Sequence, residues 1–226
     1  MAFLNIMILL LTSAIFTTRG DFPRNSKPKT VINLSDVEAQ IFTGDDVRAE
    51  NRLRRLQLIK RIRIGQNEFL AVASRDHLYF INPDKLGGKN SGKIQYDNVI
   101  TWKSDNTTKE LCSMKGKPKE LCHNFLSVVE TTNDQGSEIL VCGSNSFSPI
   151  CTTYAVSVLS SGLALLRGDD FSGKQRCPFG PDQRSAAIFT GGSLYAGTYQ
   201  AFTGVSPVVS RTMGEKAPLK TPTTDV

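Results

Sequence analysis

No CxxC pair, no HxxxH or HExxH spacing and no GxSxG occurs anywhere in the sequence. The first absences remove the usual ligand spacings of zinc sites, and the last removes the nucleophile turn of the α/β-hydrolases. Histidine is scarce too, limited to His77 and His123. His77 sits beside a turn in SRDHLYF and reads as a surface residue; His123 follows Cys122 directly and reads as the exit from a closed loop. Neither lies in a local motif that pairs it with a nucleophile and a carboxylate. GGKNSGKI, residues 87–94, has the GxxxxGK spacing of a phosphate loop, yet Ile94 stands where a Ser or Thr should hold magnesium, and no helical pattern follows. It reads as a hairpin connection. No catalytic, metal or cofactor site is expected.

Long apolar runs are also missing, apart from residues 3–16, FLNIMILLLTSAIF. That run is too short for an ordinary membrane span. It leads through TTRG into a polar, proline-containing stretch, so residues 1–20 read as a secretory signal peptide with cleavage near Gly20. The segment before the run has no Lys or Arg, and a short uncleaved anchor is the alternative. Removing residues 1–20 deletes a single charged residue, Arg19, and takes the formal net charge from +6 to +5. The remaining chain, 21–226, is expected to be extracellular or lumenal, and it is long enough for a sizeable core.

The basic excess gathers in RAENRLRRLQLIKRIR, residues 48–63, with Arg48, Arg52, Arg54, Arg55, Lys60, Arg61 and Arg63. Such a patch suits an acidic partner, heparan sulfate for a secreted chain, whereas nucleic acid is not expected there. Leu56, Leu58, Ile62 and Ile64 fall at even spacings among the charges, so the favoured reading is a surface or edge strand with a basic outer face.

Helical signals are few: SDVEAQIF, residues 35–42, suits one short helix, with Ser35 as cap and Glu38 three residues on. Elsewhere apolar bursts are bounded by turn residues, as in strands. Residues 69–82, 139–156 and 186–202 share an outline of strand, turn and aromatic-bearing strand. Such repeats suggest propeller blades, about three of them. Blades bury their faces against neighbours, so an incomplete ring should leave apolar faces open to aggregation or a partner. The end of the chain, EKAPLKTPTTDV, reads as loop or tail.

Five cysteines remain to be placed. Cys112 with Cys122 and Cys142 with Cys151 would each close a short loop, each disulfide contributing about 2.5–3 kcal/mol on a chain-entropy model. Cys177, in RCPFGP, is left over, either as a buried thiol or for want of a partner. Sequons occur at Asn33 and Asn106, the latter in the polar run KSDNTTKE, where a glycan on a surface loop is expected.

CSMKGKPKELCHNF, residues 112–125, resembles the signature CxxKGKxxxxCxN of the sema domain of semaphorins. VASRDHLYFIN resembles that family's VGARDxLYxL, CGSNSFSPICTTY its CGTNAFxPxCxxY, and RCPFGP followed by GGSLYAGT its CPYDP and GxLYSGT. The matches run in order over residues 69–211. Ala73 stands for the glycine of VGARD, Ser144 and Ser146 for the threonine and alanine of CGTNAF, and Gly180 for the aspartate of CPYDP, a change expected to loosen that loop. The cysteine of RCPFGP is closer in style to the transmembrane semaphorin classes.

The resemblance implies an all-β fold, a partial seven-bladed β-propeller with about three blades present in 21–226. It implies a non-catalytic guidance ligand that dimerises and binds a plexin-family receptor ectodomain, without a cofactor, and it implies the same two disulfides. It also implies a longer parent, a homodimer with further blades, of which this chain would be the first part. A receptor-side sema protein of the plexin type and a secreted glycan-binding β protein are the alternatives.

Overall fold

Strand alternation explains the architecture. In β1 (Leu58–Ile64) the residues Leu58, Lys60, Ile62 and Ile64 share one side, and Ile59, Arg61 and Arg63 the other. β2 (Asn67–Ala73), β3 (His77–Ile81) and β4 (Asn98–Thr101) complete an antiparallel sheet in the order β1-β2-β3-β4. Phe69, Ala71, Leu78, Phe80 and Ile100 leave one face of it, and Val72, Tyr79 and Ile81 the other. Both faces are buried, which is why the middle strands read as nearly unbroken apolar runs.

The second sheet holds β5 (Leu126–Thr131), β6 (Glu138–Gly143), β7 (Ile150–Leu159) and β8 (Gly162–Ser172) in sequence order. A register shift between Leu126 and Val128 lets Leu126 and Val129 face the same way. They join Ile139, Val141, Tyr154, Val156 and Leu163 against the first sheet. The opposite face, with Val128, Leu140, Cys142 and Cys151, packs on Leu194, Ala187 and Phe189 of the third sheet. That sheet runs β12-β11-β10-β9, from β9 (Ala186–Thr190), β10 (Ser193–Tyr199), β11 (Pro207–Thr212) and β12 (Leu219–Lys220).

The computed structural model describes residues 42, 44, 56–86, 94–160 and 162–222, all of them within one compact unit, 40–226. The expectations for the signal peptide, for a helix over 35–42 (Phe42 apart), for the 87–93 connection and for Asn33, Arg48, Arg52, Arg54 and Arg55 lie outside the described residues.

The first strands of the sheets lie side by side, β1 against β5 and β5 against β9. One carboxylate joins all of them. Glu130 on β5, 6% exposed, takes an ion pair from Lys60 Nζ on β1 at 2.5 Å, and its other oxygen accepts from the Phe189 N–H on β9 at 3.3 Å. Three successive four-stranded sheets with adjacent first strands are blades arranged around a common axis. The outer face of the third sheet carries exposed Ile188, Tyr195, Val209 and Leu219.

The polar run around Asn106 is not a loop: it forms α1 (Asn106–Met114), capped by Asp105, whose side chain accepts from the Thr108 N–H. Within the expected tail, Leu219 and Lys220 pair with β11 as β12.

Candidate recognition surface

Because the strands alternate direction, the β2–β3, β6–β7 and β10–β11 turns and the links between sheets all emerge at one end. The sequence motifs gather there, and Asp76 is the hub. Its backbone is in the left-handed region, φ 62°, and it is 6% exposed. Its N–H donates to Asn124 O (2.6 Å) and its carbonyl accepts from Trp102 N–H (2.9 Å). Its carboxylate accepts from Asn124 N–H (3.0 Å) and from His123 Nδ1–H (3.0 Å). Burial alone would raise this carboxyl; the bonds from His123 and Asn124, with the charges of His123 and Arg75, outweigh it and hold it below the usual carboxylate value.

Asn124 carries the network onward. Its amide donates to Trp102 O (3.1 Å) and its Oδ1 accepts from Asn145 N–H (2.9 Å). Gly143 makes room for it, since a Cβ there would lie 2.1 Å from that oxygen. Ser144 Oγ accepts from Phe125 N–H (3.0 Å) and donates to His123 O (3.1 Å). These bonds hold Asn145, Ser146 and Phe147 in a left-handed run, φ 39°, 55° and 62°, a conformation bulky side chains avoid without such support.

The disulfide Cys112–Cys122 ties the last turn of α1 to the residue that ends the short 3-10 turn Lys119–Leu121. Gly116, at φ 76°, lets the chain leave the helix, and its N–H donates to Ser113 O (2.9 Å). Cys112, Cys122, Phe147 and Phe179 form a small core under the loop. Lys117 Nζ lies 4.8 Å from the centre of the Phe147 ring and 5.5 Å from that of Phe202. Lys117, Phe147, Gly180, Tyr199, Phe202 and Gly204 are among the walls of a cleft of about 420 Å³. Gly180 does not loosen its loop. A Cβ there would lie 2.7 Å from the Phe147 ring, so the loop is close-packed, and Gln183 Oε1 accepts from Phe179 N–H (2.8 Å).

The opposite end holds a cleft of about 600 Å³ with Arg61, Arg63, Glu68 and Asp134 among its walls. Arg61 and Arg63 both pair with Glu68, whereas Lys60 points to the other side of β1 and is held by Glu130. Strand alternation thus divides the described part of the basic patch between two faces. Asn106 is exposed, in the first turn of α1. Cys142 and Cys151 are bonded across β6 and β7, and Cys177 is a buried thiol.

The His123–Asp76 pair and the Glu130 link were missed from sequence, because their partners stand 47 and 70 positions apart. The helix α1 could have been found from Asp105, a capping residue with Thr108 three positions on.

No family model matches the chain. It is 32% identical over 215 residues to Semaphorin-6A of Mus musculus, an alignment covering 95% of this chain and 20% of that protein. The solved extracellular domains 1-2 of Drosophila Semaphorin 1b share 27% identity at a TM-score of 0.58, over 74% of this chain and 29% of that one. The chain belongs to the semaphorin family. Its sheets are blades of a sema-type β-propeller, and it spans about a fifth of the length of the curated semaphorin it matches. A structure of Drosophila Plexin A in complex with Semaphorin 1b also matches this semaphorin chain, at 28% identity and a TM-score of 0.53, over 68% of this chain and 27% of that one.

Proposed function

We propose that this chain supplies part of the recognition domain of an extracellular semaphorin ligand that binds a plexin-type receptor ectodomain and acts in cell guidance. The observation that carries the reading is its similarity to the solved Plexin A–Semaphorin 1b complex. The mechanism is surface recognition by loops on a rigid β scaffold, without catalysis. The disulfide-stapled loop, the left-handed Asn145–Phe147 run and the Asp76 network hold one end of the blades in a single shape, which lowers the ordering cost of binding.

On this reading residues 1–20 act as a signal peptide and 21–226 as part of the sema domain, facing the outside of the cell. The parent ligand is a homodimer that brings receptors together, and Asn106 carries a glycan. Arg48, Arg52, Arg54 and Arg55 offer a site for heparan sulfate, retention on heparin falling with salt and with their replacement by Ala. The test of the receptor reading is staining of cells with and without a plexin on their surface, using the tagged secreted chain. Saturable staining of the plexin-bearing cells alone is expected; equal staining of both overturns it.

A further inference from the structure

We propose that Cys142, Cys151 and Cys177 form an internal thiol–disulfide exchange site, in which Cys177 takes over one half of the Cys142–Cys151 bridge when the 173–185 connection lifts from the sheets. The proposal is independent of the receptor-binding reading.

Cys142 on β6 and Cys151 on β7 are direct cross-strand partners and are bonded. Cys177 arrives from the connection between β8 and β9, and the three sulfurs all lie within 4.8 Å of one another. All three residues are fully buried, among Val128, Leu140 and Leu194. The Cys177 thiol is 3.4 Å from Gly143 O, the carbonyl next along from Cys142. Gly173 permits this approach: a Cβ there would stand 2.9 Å from Cys177 Sγ and 2.6 Å from Ile150 N. The fold therefore presents a free thiol to a disulfide, in a place no outside reagent reaches.

Exchange needs a thiolate. In the closed structure burial pushes the Cys177 thiol far up, and the charge of Arg176 does not offset it, so the site is silent. Lifting the connection lets water in and returns the thiol toward its ordinary value of about 8.5. The thiol then gives its proton to water, and its Sγ attacks Cys142 or Cys151 Sγ. The old S–S bond breaks as the new one forms; the displaced sulfur leaves with the electron pair and takes up a proton. One disulfide and one thiol are present before and after, so no oxidant or reductant is consumed. The bridge moves from within the second sheet to a position between that sheet and the segment leading into the third.

The test is disulfide mapping of the full chain at pH about 8, near the ordinary thiol range, in native buffer, in sub-denaturing urea and in full denaturant, with N-ethylmaleimide quenching at intervals. In native buffer Cys177 should stay unlabelled and the bridge should stay Cys142–Cys151. In sub-denaturing urea, peptides linking Cys177 to Cys142 or Cys151 should accumulate without added oxidant, with label on the displaced cysteine. Their rate should not depend on protein concentration and should exceed that of the fully denatured chain at least about tenfold, because β8 and β9 still anchor both ends of the lifted connection and keep Cys177 near the bridge. C177S should keep the original bridge throughout; if it fails to fold, the wild-type concentration series still decides. The proposal is overturned if Cys177 becomes labelled while the bridge stays unchanged, if full denaturation gives the faster exchange, or if new bridges form only between molecules.

Discussion

His123 Nδ1 lies 3.0 Å from Asp76 Oδ2, and this contact joins a turn of the first blade to the residue that leaves the disulfide-closed loop. Asp76 is the aspartate of VASRDHLYF and His123 follows the second cysteine of CSMKGKPKELCHNF, so the pair connects two sequence motifs. Asp76 also takes the Asn124 N–H and is itself almost wholly buried.

Asp76→Asn keeps the shape and removes the charge that accepts both bonds. A loss of about 1.5–3 kcal/mol is expected, the range for hydrogen bonds to a charged group, measured by urea unfolding at neutral pH. The pH dependence has a definite sign. A carboxyl held below its unfolded value of about 3.9 adds stability above that pH and loses it as pH falls through the folded value. The wild-type chain should therefore lose stability below about pH 4, and Asp76→Asn should show less of that loss.

Glu130→Gln tests the link between the first strands of the blades. The substitution leaves Lys60 without its counter-charge at a half-buried site and weakens the acceptor of the Phe189 N–H. A cost of about 2 kcal/mol is expected, less than for a fully buried pair because Lys60 keeps partial access to water. Thermal unfolding reads it, and Lys60→Met combined with Glu130→Gln should recover part of the loss.

Ser146→Ala should stabilise the protein. The Ser146 hydroxyl is fully buried and makes no hydrogen bond, in a loop where the resembling motif has alanine. Removing an unsatisfied buried hydroxyl is expected to gain about 1 kcal/mol, seen as a higher unfolding midpoint with an unchanged denaturant slope.

Gly180→Asp, which brings in the residue of CPYDP, should destabilise by about 1–3 kcal/mol, because its Cβ would meet the Phe147 ring at 2.7 Å. Paired with Phe147→Leu, the cost should shrink. A double-mutant cycle measures the coupling.

Local features were the legible ones. The hairpins β2–β3, β6–β7 and β9–β10 were visible because Ser74, Arg75 and Asp76, the residues 144–149, and Gly191 with Gly192 interrupt apolar runs with turn chemistry. Cysteine spacing pointed to loops short enough to close. Strand β1 was readable from Leu58, Ile62 and Ile64 among its charges, yet the same alternation hid the role of Lys60, whose partner lies 70 positions on. Likewise His123 read as a loop exit because Asp76 is brought to it only by the packing of two blades. The helix α1 has little apolar periodicity, with only Cys112 buried on it, so its cap was the one local signal. Gly180 read as a loosening change because its contact with Phe147 comes from another connection.

On the proposed function this chain presents a semaphorin recognition surface to a plexin. The most direct measurement is surface plasmon resonance of the secreted chain over an immobilised plexin ectodomain, with a reduced and alkylated sample as control. On this reading binding is saturable and is lost when the Cys112–Cys122 staple is opened. Absence of binding by the folded, disulfide-intact chain and by a longer product carrying this sequence, across a panel of plexin ectodomains, would contradict it.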